Sequence, residues 1–146
     1  MEPKNTEKIL GQFTIKMPIS VMLGKKKKKT YYLNLNIMRN QVGHLINNIK
    51  KEYARIAHGV IPSDVKFEHF RLRYELYLPN KMKRDVSNVC SIIDKNFCDA
   101  LVAHGTVIDD NYEFLQKIDY RYAGYDPDKK GYVLITVAED TDYLEV

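Results

Sequence analysis

The chain predicts an α+β domain, a mixed, largely antiparallel sheet with two main helices packed on one of its faces. Three observations carry this. Residues 66–78, "KFEHFRLRYELYL", alternate strictly, with Phe70, Leu72, Tyr74, Leu76 and Leu78 on one side and Arg71, Arg73 and Glu75 on the other. That is the period-two signature of a strand with one buried face. Two other segments, 42–56 and 86–101, repeat apolar residues at threes and fours, as amphipathic helices do. Finally, "DPDKKG" (126–131) has turn chemistry and stands between two strand-like runs, "QKIDYRYAGY" and "GYVLITVAE", so it predicts a hairpin.

In chain order, residues 1–8 are expected to be flexible, and the remainder of 1–146 to form one domain. "GQFTIKMPI" (11–19) alternates as a short strand, with Phe13 and Ile15 on one face, and a Gly-Lys loop follows. "TYYLNLNIMRN" leads into the first helix, where Val42, Leu45, Ile46, Ile49, Tyr53 and Ile56 share a stripe. It should stop near His58 and Gly59, with Pro62 just beyond. After the long strand, "PNKMKRD" breaks the pattern. A second helix from Val86 to Ala103 then buries Val86, Val89, Ile93, Phe97, Ala100 and Leu101, and Gly105 ends it. Tyr53, Phe70, Tyr74 and Phe97 are read as core.

At 146 residues the chain can bury about two thirds of its unfolded surface in a single core. Its net charge of +4, with an acidic end "EDTDYLEV", fits a basic body that meets a phosphate-bearing partner. Cys90 and Cys98 lie eight apart on one helix and so cannot bridge, and the four histidines lack zinc-ligand spacing. No apolar run reaches the ~18 residues of a membrane span, and no secretory leader is visible, so a soluble protein in a reducing cytoplasm is expected. The sequence has no glycine-rich phosphate loop, nucleophile elbow or Cys-His pair, which argues against nucleotide hydrolysis and covalent catalysis.

The chemistry concentrates in "KRDVSNVCSIIDKNFCDALVAHGTVIDDN" (83–111). Asp85 precedes the second helix, Asp109 and Asp110 follow it, and Lys95 lies within it. Each acid has an ordinary reading: Asp85 as a helix cap, Asp109 and Asp110 as turn residues. Together they also suit a divalent metal, which takes hard carboxylate oxygens from several directions, with a nearby Lys or Arg to stabilise phosphate charge.

"KRDVSN" followed by "DKNFCDALVAHGTVIDDNYEFL" resembles the RusA family of Holliday-junction resolvases, phage and prophage endodeoxyribonucleases that cut four-way DNA junctions. The elements R-D-x-(D/S)-N, K-x-x-x-D-A-L and D-D occur in the family's order from Arg84 to Asp119. The resemblance implies a metal-dependent endonuclease of recombination, repair or phage DNA processing, using Mg²⁺ or Mn²⁺ and acting as a homodimer on branched DNA. It makes Asp85, Lys95 and Asp110 catalytic, places metal at Asp85, Asp109 and Asp110, and gives Arg84 and Asn88 a place beside the DNA. Two departures follow. Ser87 replaces the family's second aspartate, and about four extra residues separate Asn88 from Lys95, close to one helical turn. Asp94 arrives with that turn on the stripe of Ser87. It either supplies the missing metal ligand or is a solvated helix residue pairing with a nearby Lys.

The run Lys25, Lys26, Lys27, Lys28, Lys29 reads as a solvated loop or, beside Tyr31 and Tyr32, as a contact to the DNA backbone with an aromatic on which a base can stack. Arg71 and Arg73 either extend that surface or pair with Glu68 and Glu75. A branched-DNA-binding protein without catalysis is the alternative reading, since Ser87 removes one carboxylate.

Overall fold

A computed structural model describes residues 6–9 and 11–146. The strands are β1 (Thr6–Ile9), β2 (Gln12–Pro18), β3 (Ser20–Leu23), β4 (Lys29–Tyr32), β5 (Phe70–Leu78), β6 (Leu115–Tyr125) and β7 (Tyr132–Glu139). The helices are α1 (Leu35–Met38), α2 (Gly43–Val60) and α3 (Val86–His104). Five strands form one sheet in the order β1-β2-β7-β5-β6, and β3 pairs with β4 in a separate ribbon. All neighbours in the main sheet are antiparallel except β5 and β6, which run parallel. The α+β class stands. The expected flexible start falls partly on residues 1–5, outside the described residues, whereas Thr6 to Ile9 pair with β2.

Alternation on β5 is complete: Phe70, Leu72, Tyr74, Leu76 and Leu78 are buried, and they pack with Phe13, Ile15 and Met17 of β2 and Val133, Ile135 and Val137 of β7. Each such side chain contributes about 1.5–3 kcal/mol when fully removed from water. The helices cover this face. α2 supplies Ile49, Tyr53 and Ala57, and α3 supplies Val89, Ile93, Phe97 and Leu101. Tyr74 meets Phe97 edge-on, with ring centroids 6.4 Å apart. Val42, assigned to the first helix's stripe, is exposed and sits at the helix cap. Gly105 ends α3 at φ 85°, a conformation that Gly adopts without strain.

The expected hairpin between the last two strands is not formed. Its turn chemistry is present, since the Asp126 carboxylate accepts the backbone N–H groups of Asp128, Lys130 and Gly131. Yet β6 and β7 do not pair; β5 lies between them. The reason is the β5-α3-β6 unit: a helical crossover returns β6 parallel to β5 on its outer side, and the turn then carries the chain past the end of β5. The Asp126 N–H bonds the Leu78 carbonyl as it passes, 2.8 Å away. Gly131, at φ 83°, closes the turn where any Cβ would meet Ile19 and Pro79.

The other face of the sheet is polar. Thr14 and Thr136 share a hydrogen bond of 3.0 Å, Lys16 stands over the Tyr132 ring, and Asp119 meets both Arg73 and Arg121. Arg73 therefore pairs with Asp119 rather than with Glu68 or Glu75. Among the described residues, no helix is long and apolar enough to cross a membrane. Cys90 and Cys98 are buried and unbridged.

Candidate functional site

Because β5 and β6 are parallel and α3 joins them, the carboxyl ends of both strands and the N-terminus of α3 meet at one edge of the domain. Crevices at such edges are where α/β units take ligands. Here a cleft of about 650 Å³ is lined by Lys81, Lys83, Arg84, Asp85 and Asn88, and by Asn34 and Asn36 of the α1 region across from them. Tyr122 and Tyr125 of β6 close its outer side, both about half exposed, with ring centroids 6.5 Å apart in an edge-on pair.

Asp85 occupies the cap position of α3, yet its side chain makes no capping hydrogen bond. Its carboxylate instead accepts from the Asn88 side-chain amide at 3.2 Å and is otherwise exposed. The cap reading of Asp85 is therefore a correction. Position alone makes it the cap residue, while its charge is turned to the cleft. Arg84 is fixed beside it: its guanidinium donates to Asn80 Oδ1 at 2.9 Å and to the Met82 carbonyl at 3.3 Å, which folds the loop back on itself.

Asp109 and Asp110 lie at the other end of α3. Asp109 is the turn-former, accepting from the Asp110 N–H and the Asn111 amide, both at 2.8 Å, and these bonds hold its pKa below the usual value. Asp110 is shifted the other way, raised by partial desolvation, by its hydrogen-bonding contact with Asp109, and by the charges of Asp109 and Asp99. Asp99 sits fourteen residues beyond Asp85, about 21 Å along the helix. One chain thus brings Asp109 and Asp110 together near Asp99, but not to Asp85. Lys95 lies between, exposed, about 15 Å along the helix from Asp85. At about 100° per residue, Asp85, Asn88, Lys95 and Asp99 share one stripe within about 80°.

Asp94 serves packing rather than the cleft. Its Oδ1 accepts from the Tyr74 hydroxyl at 2.7 Å and the Cys98 thiol at 3.2 Å, and its Oδ2 from the Tyr120 hydroxyl at 2.8 Å. Both oxygens are committed, tying α3 to β5 and β6. Neither role foreseen for Asp94, ligand or solvated partner of a Lys, describes this arrangement. Burial, followed by the neighbouring Cys98 and Asp94, pushes the Tyr74 hydroxyl well above its usual pKa, so it remains a donor.

The lysine run forms the exposed β3-β4 connection, with Lys29 the first residue of β4. Lys29 Nζ stands 5.3 Å from the centre of the Tyr31 ring, so one face of that ring is already occupied. The Glu52 pKa is lowered chiefly by its hydrogen bond from Arg55, with a smaller contribution from the charge of Lys28, which brings that lysine near α2. From Lys29 to Asn34 the chain spans five residues, at most about 17 Å if extended, so the end of the lysine run lies within that reach of Asn34 at the cleft.

Tyr122, Tyr125, Asn34, Asn36 and Lys81 were not singled out from sequence. The signal that would have found the tyrosines is the βαβ connection, which places the end of β6 beside the start of α3. Among the described residues, no three His, Cys, Asp or Glu side chains stand close enough together to hold a metal ion. A Mg²⁺ ion, however, commonly takes one or two protein oxygens, several waters and a substrate phosphate. The Asp85 carboxylate with the Asn88 amide oxygen fits such a partial donor set. The chain matches no family model, and a search of curated proteins returned no match.

Proposed function

We propose that this protein is a metal-dependent, structure-selective DNA endonuclease that nicks four-way junctions as a homodimer, as its resemblance to the RusA resolvases implies. The observation that carries the reading is the Asp85 carboxylate. It stands at a helix start without capping the helix, in the cleft beyond the carboxyl ends of β5 and β6, among Lys81, Lys83 and Arg84. A stabilising cap is forgone there, which is expected where a charge is kept for a ligand.

Lys81, Lys83 and Arg84 attract the phosphate backbone, and the uncapped first turn of α3 adds N–H groups favourable to an anion. Tyr122 and Tyr125 offer ring faces to bases splayed at a branch point, a contact that tolerates any sequence. Asp85 and Asn88 would hold Mg²⁺ or Mn²⁺. When bound, the metal supplies Lewis acidity to the phosphate and lowers the pKa of a water nucleophile. Asn88 orients the Asp85 carboxylate through its amide. Lys95, on the same stripe of α3, would neutralise charge on a strand laid along that helix, and Asp110, whose pKa is raised chiefly by partial desolvation and then by its hydrogen-bonding contact with Asp109, would be the second acid.

The test is cleavage of an end-labelled four-way junction with Mg²⁺, with Mn²⁺ or with EDTA, using wild type, Asp85→Asn and Asp110→Asn. Paired nicks that require metal and disappear in both variants are expected. Junction binding with no cut in any metal would overturn the enzyme reading. It would instead favour the non-catalytic branched-DNA binder, for which the lack of a three-acid cluster within the described part of one chain speaks.

A further inference from the structure

The tripeptide Ala-His-Gly occurs twice, at 57–59 and 103–105, and the proposed nuclease chemistry uses neither copy. Both lie where a long helix ends. His58 stands in the last turn of α2, and His104 is the last residue of α3. The packing of the two helices brings the imidazoles together although 46 residues separate them, and their Nδ1 atoms lie 2.9 Å apart. The ring centres are 5.2 Å apart with planes 24° from parallel, so the rings meet edge to edge with the two nitrogens aimed at each other. His58 is exposed and His104 half-buried. Among the described residues neither ring has another hydrogen-bond partner, and neither pairs with a carboxylate.

We infer that His58 and His104 form a two-imidazole site for a divalent transition metal of the copper or nickel type, which fastens the end of α2 to the end of α3. This goes beyond the nuclease reading and does not depend on it.

The spacing selects the class of ion. At metal–nitrogen distances of about 2.0–2.1 Å, ligands at right angles stand about 2.9 Å apart, whereas ligands at the tetrahedral angle stand about 3.4 Å apart. The pair therefore already has the edge of a tetragonal site, the geometry of Cu²⁺ and Ni²⁺, and must open to hold Zn²⁺ tetrahedrally. Copper and nickel also stand above Fe²⁺ and Mn²⁺ in affinity for nitrogen ligands. The electrostatics agree, because the carbonyl ends of two helices carry partial negative charge and both converge on the pair.

The surroundings leave room for the waters that complete the shell of an ion held by two protein ligands. A Cβ on Gly59 or Gly105 would meet nothing within 4 Å. Gly105 has its own reason, the φ of 85° that ends α3. Gly59 has no such reason: it lies inside α2, its φ is not positive, and glycine there costs helix stability relative to alanine. What it leaves is open ground beside His58.

Binding to two neutral rings needs no net proton change. In the hydrogen-bonded pair one Nδ1 carries a hydrogen and the other accepts it. When the ion enters, the donor ring exchanges with water and carries its hydrogen on Nε2 instead, and both rings turn so that two Nδ1 lone pairs converge on the metal.

The test is titration of the full chain with Cu²⁺ in excess Mg²⁺, which keeps carboxylate sites occupied, followed by electron paramagnetic resonance. One ion per chain with splitting from two nitrogens is expected in wild type and in His44→Ala. His58→Ala and His104→Ala should each lose one nitrogen and weaken binding by about tenfold or more, with circular dichroism and the metal-free melting temperature reporting that both stay folded. On wild type alone, Ni²⁺ at a hundredfold over its dissociation constant should raise the melting temperature by roughly 5–10 °C, and Zn²⁺ at the same concentration by less. Binding that survives in both variants, a wild-type spectrum with one nitrogen or none, or a larger rise with Zn²⁺ than with Ni²⁺ would overturn the assignment. The pair would then be a hydrogen bond between helices and nothing more. Junction nicking in Mg²⁺ involves neither histidine, so failure of this site leaves the nuclease reading standing, and the reverse also holds.

Discussion

Replacing Asp94 with Ala tests whether the carboxylate shared by Tyr74, Tyr120 and Cys98 ties α3 to the sheet. Tyr74 is fully buried, and its hydroxyl bonds Asp94 at 2.7 Å. Without the acceptor that hydroxyl is stranded, a loss of about 1–3 kcal/mol. The Tyr120 hydroxyl is partly exposed and can turn to water, so its bond adds about 1 kcal/mol, and the thiol adds less. The expected total is about 3 kcal/mol, out of the roughly 5–15 kcal/mol that holds a small domain folded. With a urea slope near 2 kcal/mol/M, the midpoint should fall by about 1.5 M. Asp94→Asn should lose only about 1 kcal/mol, because its amide oxygen still accepts from Tyr74 and the Tyr120 hydroxyl can reverse to accept from the amide nitrogen. In the Asp94→Ala background, Tyr74→Phe should then be stabilising, recovering part of the loss of about 1–3 kcal/mol, since it removes the stranded hydroxyl. A midpoint shift below about 0.5 M for Asp94→Ala, or strict additivity with Tyr74→Phe, would refute this account.

Asp126 supplies a pH dependence. Burial raises its pKa, but the N–H groups of Asp128, Gly131 and Lys130 outweigh burial and leave it below its ordinary 3.8. A depressed folded-state pKa adds stability above the unfolded value, and that stability is lost as pH falls through the folded one. Urea melts from pH 7 to pH 2 should therefore show an acid-side loss that Asp126→Asn shrinks, whereas an unchanged profile would contradict it. Asp110 is shifted upward, so its ionised form opposes folding; Asp110→Asn should raise the melting temperature at pH 7, with the gain disappearing at pH 3. Neutralising Lys25 to Lys28 should weaken junction affinity at all sequences alike. It should also flatten the salt dependence by up to about 0.9 for each DNA phosphate that those lysines no longer neutralise, read from binding at several salt concentrations. If the slope stays as in wild type, that loop is a solvated turn only.

The fold was legible where one physical signal dominated. Strict alternation found β5, and three-four spacing with Gly105 found α3 to within a residue. The β6-β7 hairpin was misread because the turn at Asp126 is equally compatible with neighbouring strands and with strands flanking a third. Only the long-range choice of β5 between them decides, and turn chemistry carries no information on it. β1 and the β3-β4 ribbon are four residues each, too short for periodicity to register. Arg84, Asp85 and Asn88, singled out by their motif, line one cleft. The tyrosines opposite them were not singled out, because their closeness depends on a parallel pairing. The commitment of Asp94 to two tyrosine hydroxyls was hidden for a similar reason: Tyr74 and Tyr120 are twenty and twenty-six residues away in sequence.

The central claim is that metal and DNA phosphate meet at the Asp85 carboxylate. Loading the junction-bound protein with Fe²⁺ in place of Mg²⁺, then adding ascorbate and peroxide, cuts the polypeptide wherever the ion sits. Backbone breaks between residues 83 and 88 that Asp85→Asn abolishes are predicted. Breaks elsewhere, or breaks that persist in Asp85→Asn, would contradict the claim.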